Sequence, residues 1–137
     1  MLADVSDNVG LGVPGRRALV LQRAGRLPAD RLLRCDDHLL DLLTEWEPGL
    51  AGRLAARALA PLDALPESSR QTLAQTLHAW LRHQGQVIPA AAALHAHPQT
   101  VRYRLRTLRR LFGAALQDPD LRLQLQIALE ATVREHR

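Results

Sequence analysis

"VIPAAAALHAHPQTVRYRLRTLRRLFG", residues 87–113, decides the fold. A short run of small apolar residues breaks at "LHAH" (94–97) and restarts at Pro98, a residue suited to the first position of a helix, with His97 at the N-cap. Val101, Leu105, Leu108 and Phe112 then recur at helical spacing on one face, and Gly113 stops the helix. Two helices joined by a three- or four-residue break, the second amphipathic and basic, form the pattern of a helix-turn-helix. That arrangement needs a small residue where the helices cross and an apolar one pinning the second helix. Ala91 and Val101, ten residues apart, fit these roles, with Leu94 and Ala96 lining the junction. His95 stands where many such turns carry glycine, and histidine tolerates a left-handed backbone better than most side chains.

The same stretch crowds Arg102, Arg104, Arg106, Arg109 and Arg110 into nine positions. Like charges at i,i+4 repel by a few tenths of a kcal/mol, so the pairs Arg102/Arg106 and Arg106/Arg110 cost stability unless something negative lies outside the helix. With the apolar stripe inward, helical periodicity sends Gln99, Arg102, Tyr103, Arg106 and Arg110 outward and leaves Arg104 and Arg109 on the flanks. DNA phosphates supply the missing negative charge, and a recognition helix reads base edges mainly with its N-terminal residues. Gln99 can pair bidentately with adenine and Arg102 or Arg106 with guanine, while Thr100 and Tyr103 suit phosphate or methyl contacts. The expected interface is therefore Gln99, Thr100, Arg102, Tyr103, Arg104, Arg106, Arg109 and Arg110 on a helix over 98–112 in the major groove. Ala91, Leu94, His97, Val101 and Leu105 hold the motif together. The competing reading is an α-helical dimerisation or protein-interaction module whose arginine face meets an acidic partner. Discrimination between specific and random DNA separates the two.

Working outward, Leu73, Leu77, Trp80 and Leu81 form a helical stripe from Ser69 to a stop at Gly85. On the other side Asp118 can cap a final helix with Pro119 at its first position. That helix places Leu121, Leu125, Ala128 and Leu129 on one face, with Leu123 and Ile127 beside them. Upstream, Pro48 opens a helix expected to turn Leu50, Leu54 and Ala58 inward, with Leu59 beside them, and Pro61 stops it. "PLDALPESS" is a turn-rich connector, so the main boundary is expected over 61–68. Asp36 offers an N-cap to a helix with Leu39, Leu42 and Leu43 on one face. Arg16–Ala24 suits a short helix and residues 1–14 a loose lead-in. "RLLRC" (31–35) has the pattern of a short strand, but a lone strand has nothing to pair with, which points to a truncated neighbouring domain. The expected fold is mainly α, a helical bundle containing a helix-turn-helix, with at most that one strand.

Composition agrees with this reading. The chain has 137 residues, 47% of them hydrophobic and only 3% aromatic, so its core rests on Leu, Ala, Val and Ile, which favours helices. All 18 basic residues are arginines and the net charge is +4. GC-rich coding accounts for the missing lysines, whereas the clustering at 102–110 points to an anionic partner. The single cysteine, Cys35, excludes an internal disulfide and a Cys-rich zinc site and fits the cytoplasm. No basic-then-apolar leader or membrane span is expected.

Three further patterns lose on context. Gly10, Gly12 and Gly15 match G-x-G-x-x-G, with Asp36 near the distance of a ribose-binding acid, but Pro14 interrupts the turn and no βαβ pattern follows. His95/His97 and His78/His83 lack the i,i+4 spacing that aims two imidazoles at one ion, so no metal or other cofactor is expected, and His78 and His83 are read as surface residues. Asp36, Asp37 and His38 have no identifiable Ser or Cys nucleophile to serve, so an enzyme is not expected.

Residues 76–129 also resemble the C-terminal, Fis-like helix-turn-helix of the PucR/CdaR family of bacterial transcriptional regulators. The resemblance rests on "TL" and "WL" in the preceding helix, "AAALHAHPQTVRYRL" across the motif, "FG" at the helix end and "DPDLRLQLQIAL" at the close. Residues 16–66, with "DDHLLDLL" and "LAPLDAL", are similar to the tail of the domain before it. The resemblance implies residues 1–60 as the truncated tail of a regulatory domain and 68–137 as the DNA-binding domain. It further implies double-stranded DNA as partner, a homodimer, and an effector-sensing upstream region outside this chain, which would make the chain a fragment.

Overall fold

The structure, a computed structural model, describes residues 21–23, 42–44 and 47–135. The chain forms two compact units, 1–51 and 52–137. All regular structure among the described residues is helical. The possible strand at 31–35, the glycine pattern at 10–15 and Cys35 lie outside the described residues, as do most of the two early helices. Of the latter, residues 21–23 and 42–44 are helical. Leu42 is buried, but Leu43, expected inward with it, is exposed, and Thr44 is the second buried residue there.

Helix α1 spans Pro48–Ala58 and leads through a 3₁₀ turn, Ala60–Leu62, to α2, Glu67–Arg82. Next come α3, Val87–Ala93, and α4, Pro98–Phe112. A second 3₁₀ turn, Gly113–Gln117, precedes α5, Pro119–Glu135. The expectation for α1 is corrected at one place: Leu50 is 64% exposed. The face that packs carries Ala55, Ala58 and Leu59, and at 100° per residue Leu50 lies well off it. Within 61–68, read as a connector, Leu62 enters the core and the 60–62 turn packs against α4.

Helix α2 buries the expected stripe of Leu73, Leu77, Trp80 and Leu81, together with Thr76 and Ala79. Glu67 stands in its first turn, where a carboxylate favours the helix dipole, and receives Arg70 and the Gln71 amide, the latter at 2.7 Å. The helix stops at two left-handed residues, Gln84 (φ 55°) and Gly85 (φ 82°). Gly85 N–H returns to the Trp80 carbonyl at 2.8 Å, and the Trp80 indole N–H donates to the Gly85 carbonyl at 2.7 Å. A Cβ on Gly85 would meet the Trp80 ring at 3.4 Å, an ordinary contact, so it is the left-handed backbone that glycine suits.

The core joins α2, α3, α4 and α5, with Leu77, Ala90, Val101, Leu105, Leu108, Leu125, Ala128 and Leu129 almost wholly enclosed. Leu116 adds to it from the 3₁₀ turn after α4. Burying a leucine, valine or phenylalanine is worth about 1.5–3 kcal/mol. Four such side chains on α4 outweigh the like-charge repulsion on its outer face, so the helix forms in spite of its arginines.

Candidate nucleic-acid interface

The turn at 94–97 is built as the sequence implies. Ala90 and Ala91 are buried where α3 meets α4, and Leu94 and Ala96 pack partly against the core. His95 is left-handed at φ 50°. Its N–H reaches the Ala92 carbonyl at 3.2 Å, and Ala96 N–H reaches the Ala91 carbonyl at 3.0 Å. These bonds satisfy carbonyls that the end of α3 leaves open. The chain then extends through His97 (φ −67°, ψ 139°), whose Nδ1 accepts the Gln99 N–H at 3.1 Å. For Nδ1 to accept, a neutral ring carries its proton on Nε2. Pro98 follows at the first helical position, so cap and proline together fix where α4 starts.

Along α4, Val101, Leu105, Leu108 and Phe112 face the core. Gln99, Thr100, Arg102, Tyr103, Arg106, Arg109 and Arg110 are exposed. Two contacts organise the outer face. Arg102 Nη1 stands 3.5 Å from Gln99 Oε1, and the Arg106 guanidinium carbon lies 5.9 Å from the Tyr103 ring centroid. Tyr103 is 65% exposed, an unusual position for an aromatic residue in a chain with so few. Arg104 differs from the other four arginines. It is half-buried, with Nη1 3.5 Å from the hydroxyl of Thr76 on α2. Among the described residues none of the five arginines forms an ion pair. The face is therefore a concentration of uncompensated positive charge on a rigidly seated helix.

Sequence reasoning missed one polar cluster. Glu130 on α5, with an 11% exposed side chain, receives His78 Nε2 at 2.8 Å and Arg82 Nη1 at 2.9 Å, both from α2. His78 is thus corrected from a surface residue to a half-buried partner of Glu130. The spacing of His78 and Arg82 puts both on one face of α2, but their acid lies 52 residues from His78 and emerges only when α5 packs. A groove of about 530 Å³ runs along this side of α2, past Ala74, Ala79, Ala93 and Leu129, with no lining residue from α4. Among the described residues no group of three or more potential metal ligands forms. No described helix is long and apolar enough to cross a membrane.

Residues 73–131, from the middle of α2 into α5, match the PucR C-terminal helix-turn-helix domain. The chain carries a PucR-type C-terminal helix-turn-helix domain over these residues. It is 36% identical over 110 residues to the carbohydrate diacid regulator of Escherichia coli strain K12, covering 77% of this chain and 27% of that protein. It is 36% identical over 70 residues to the purine catabolism regulatory protein of Bacillus subtilis strain 168, covering 50% and 13%. An uncharacterized protein from the pkwA 5′ region of Thermomonospora curvata is 43% identical over 112 residues, covering 82% and 61%. The chain thus spans between about an eighth and three-fifths of the length of these relatives. No solved structure matches significantly. The PucR-type domain is the helix-turn-helix of a transcription regulator, and the exposed face of α4 is its basic surface.

Proposed function

We propose that this chain binds double-stranded DNA sequence-specifically, with α4 in the major groove as the recognition helix. The observation that carries the reading is the exposed face of α4, where arginines stand without ion-pair partners among the described residues on a helix whose opposite face is locked into the core. Phosphates offset the repulsion among those arginines, and the N-terminal part of α4 reaches base edges. In this reading Gln99, Arg102 and Arg106 read bases, Thr100 and Tyr103 contact a phosphate or a thymine methyl, and Arg109 and Arg110 hold phosphates. Arg104, on the flank, is treated separately below.

The same reading takes residues 68–137 as the DNA-binding domain, 1–60 as the tail of a preceding regulatory domain, and the cytoplasm as the place of action. Control by an effector would come from a sensory region outside this chain. A single helix-turn-helix contacts few base pairs, so the functional form is a homodimer on half-sites about 34 Å apart. The exposed Leu123 on α5, or the 37–59 region, would supply the contact. Sedimentation with palindromic DNA should show two chains per duplex, and a strict monomer would exclude this arrangement.

The decisive experiment is selection of binding sites from genomic fragments with the purified chain, followed by footprinting. A recurrent protected sequence supports the proposal. Equal retention of all fragments would leave only non-specific charge attraction, and no retention would move the arginine face to an acidic protein partner.

A further inference from the structure

We infer that Arg104 is a positioning residue that fastens the recognition helix to α2 through Thr76, and not a DNA contact. The inference rests on α4 being the DNA-reading helix. Of the five arginines on α4 only Arg104 is half-buried. Its neighbours one turn away, Val101 and Leu108, are fully buried, which places Arg104 on the flank of the packed face of the helix. Its guanidinium reaches the hydroxyl of Thr76, a residue with no exposed surface, 28 positions earlier in the chain.

The chemistry of the two groups is complementary. The Thr76 hydroxyl donates its proton to the Thr72 carbonyl at 2.9 Å, so toward Arg104 it can act only as acceptor. Guanidinium only donates. At 3.5 Å the contact is longer than a typical hydrogen bond, and its value lies in its place. The inward stripe of α4 fixes the depth of the helix and, from a narrow arc, most of its roll about the helix axis. A contact on the flank opposes roll with a longer lever. Roll matters to base edges, which must be met at hydrogen-bond distance, and matters little to diffuse attraction by phosphates.

The test uses the full chain. Wild type, Arg104→Met, Thr76→Val, the double variant and Thr76→Ser are titrated against the selected duplex and a scrambled one at several salt concentrations, at a temperature where circular dichroism shows each folded. Arg104→Met and Thr76→Val should each weaken selected-site binding about threefold to tenfold, in the range of contact coupling energies. The scrambled duplex and the log–log salt slope should hardly change. The double variant should be no worse than the poorer single one, and Thr76→Ser, which keeps the hydroxyl, should bind as wild type. A slope reduced by about one in Arg104→Met, with Thr76→Val unaffected, would make Arg104 a phosphate contact and overturn the inference. Loss on the selected site in Arg104→Met alone would make it a base contact and overturn the inference equally. No loss in either variant also refutes it. A wild-type chain that cannot tell the two duplexes apart would remove the DNA-reading assignment and this inference together, whereas the other contrary results leave that assignment standing.

Discussion

Helices α4 and α5 start by the same device and end with different uses. Each has a side-chain acceptor at its N-cap and proline in the next position. His97 Nδ1 takes the Gln99 N–H, and Asp118 Oδ1 takes the Asp120 N–H at 2.9 Å. Each buries an apolar stripe, Val101, Leu105, Leu108 and Phe112 in one and Leu125, Ala128 and Leu129 in the other. They part on the remaining surface. Helix α4 exposes arginines without ion-pair partners among the described residues, whereas α5 turns Glu130 inward onto His78 and Arg82. The folding instructions are shared, and the function is written in residues the core does not need.

The comparison breaks first if the shared part is wrong. Leu105→Ala and Leu125→Ala should each cost about 2–5 kcal/mol, the range for a core leucine. Urea unfolding measures this, and a loss below about 1 kcal/mol for Leu105→Ala would mean that α4 presents a different face to the core.

The polar tie of α5 should come next. Glu130→Ala removes the enclosed acceptor of the His78 and Arg82 hydrogen bonds and should cost about 1.5–3 kcal/mol, as for bonds to charged groups. Glu130→Gln, which retains one carbonyl oxygen, should cost less. DNA affinity per folded molecule should stay unchanged in both, and a selective loss of DNA binding would place this cluster in the interface. The two caps sharpen the parallel further. His97→Ala and Asp118→Ala should each lose about 1 kcal/mol, typical of an N-cap, and only the first should also weaken DNA binding, because it frays the end of α4 that we propose reads bases. The smallest effect has the opposite sign. Arg106→Ala relieves two like-charge i,i+4 pairs and should raise stability by a few tenths of a kcal/mol while weakening DNA binding. A destabilised protein would show that the contact of Arg106 with the Tyr103 ring outweighs that repulsion.

How much of this was readable depends on the distance over which each feature is decided. The stripe of α4, the His97 and Asp118 caps and the left-handed His95 all follow from residues within a turn or two of one another. Periodicity and cap chemistry therefore located them. Leu50 was misplaced because, of the stripe it forms with Leu54 and Ala58, only Ala58 lies on the face that packs, and only the neighbouring helices decide this. The Glu130 cluster and the Arg104 contact join residues 52, 48 and 28 positions apart, and no local pattern announces which helices meet. The flank position of Arg104 was visible from periodicity, but its tie to Thr76 was not.

The central claim is that the outer face of α4 reads sequence at its start and holds phosphate near its end. Titration of Arg102→Ala and Arg110→Ala against selected and scrambled duplexes over a range of salt tests it most directly. Arg102→Ala should lose about 1–3 kcal/mol on the selected duplex and little on the scrambled one. Arg110→Ala should weaken both alike and lower the magnitude of the log–log salt slope by about one. Equal losses on both duplexes for Arg102→Ala would reduce it to a positioning charge, and unchanged affinity in both variants would contradict the account and assign the basic face to a protein partner.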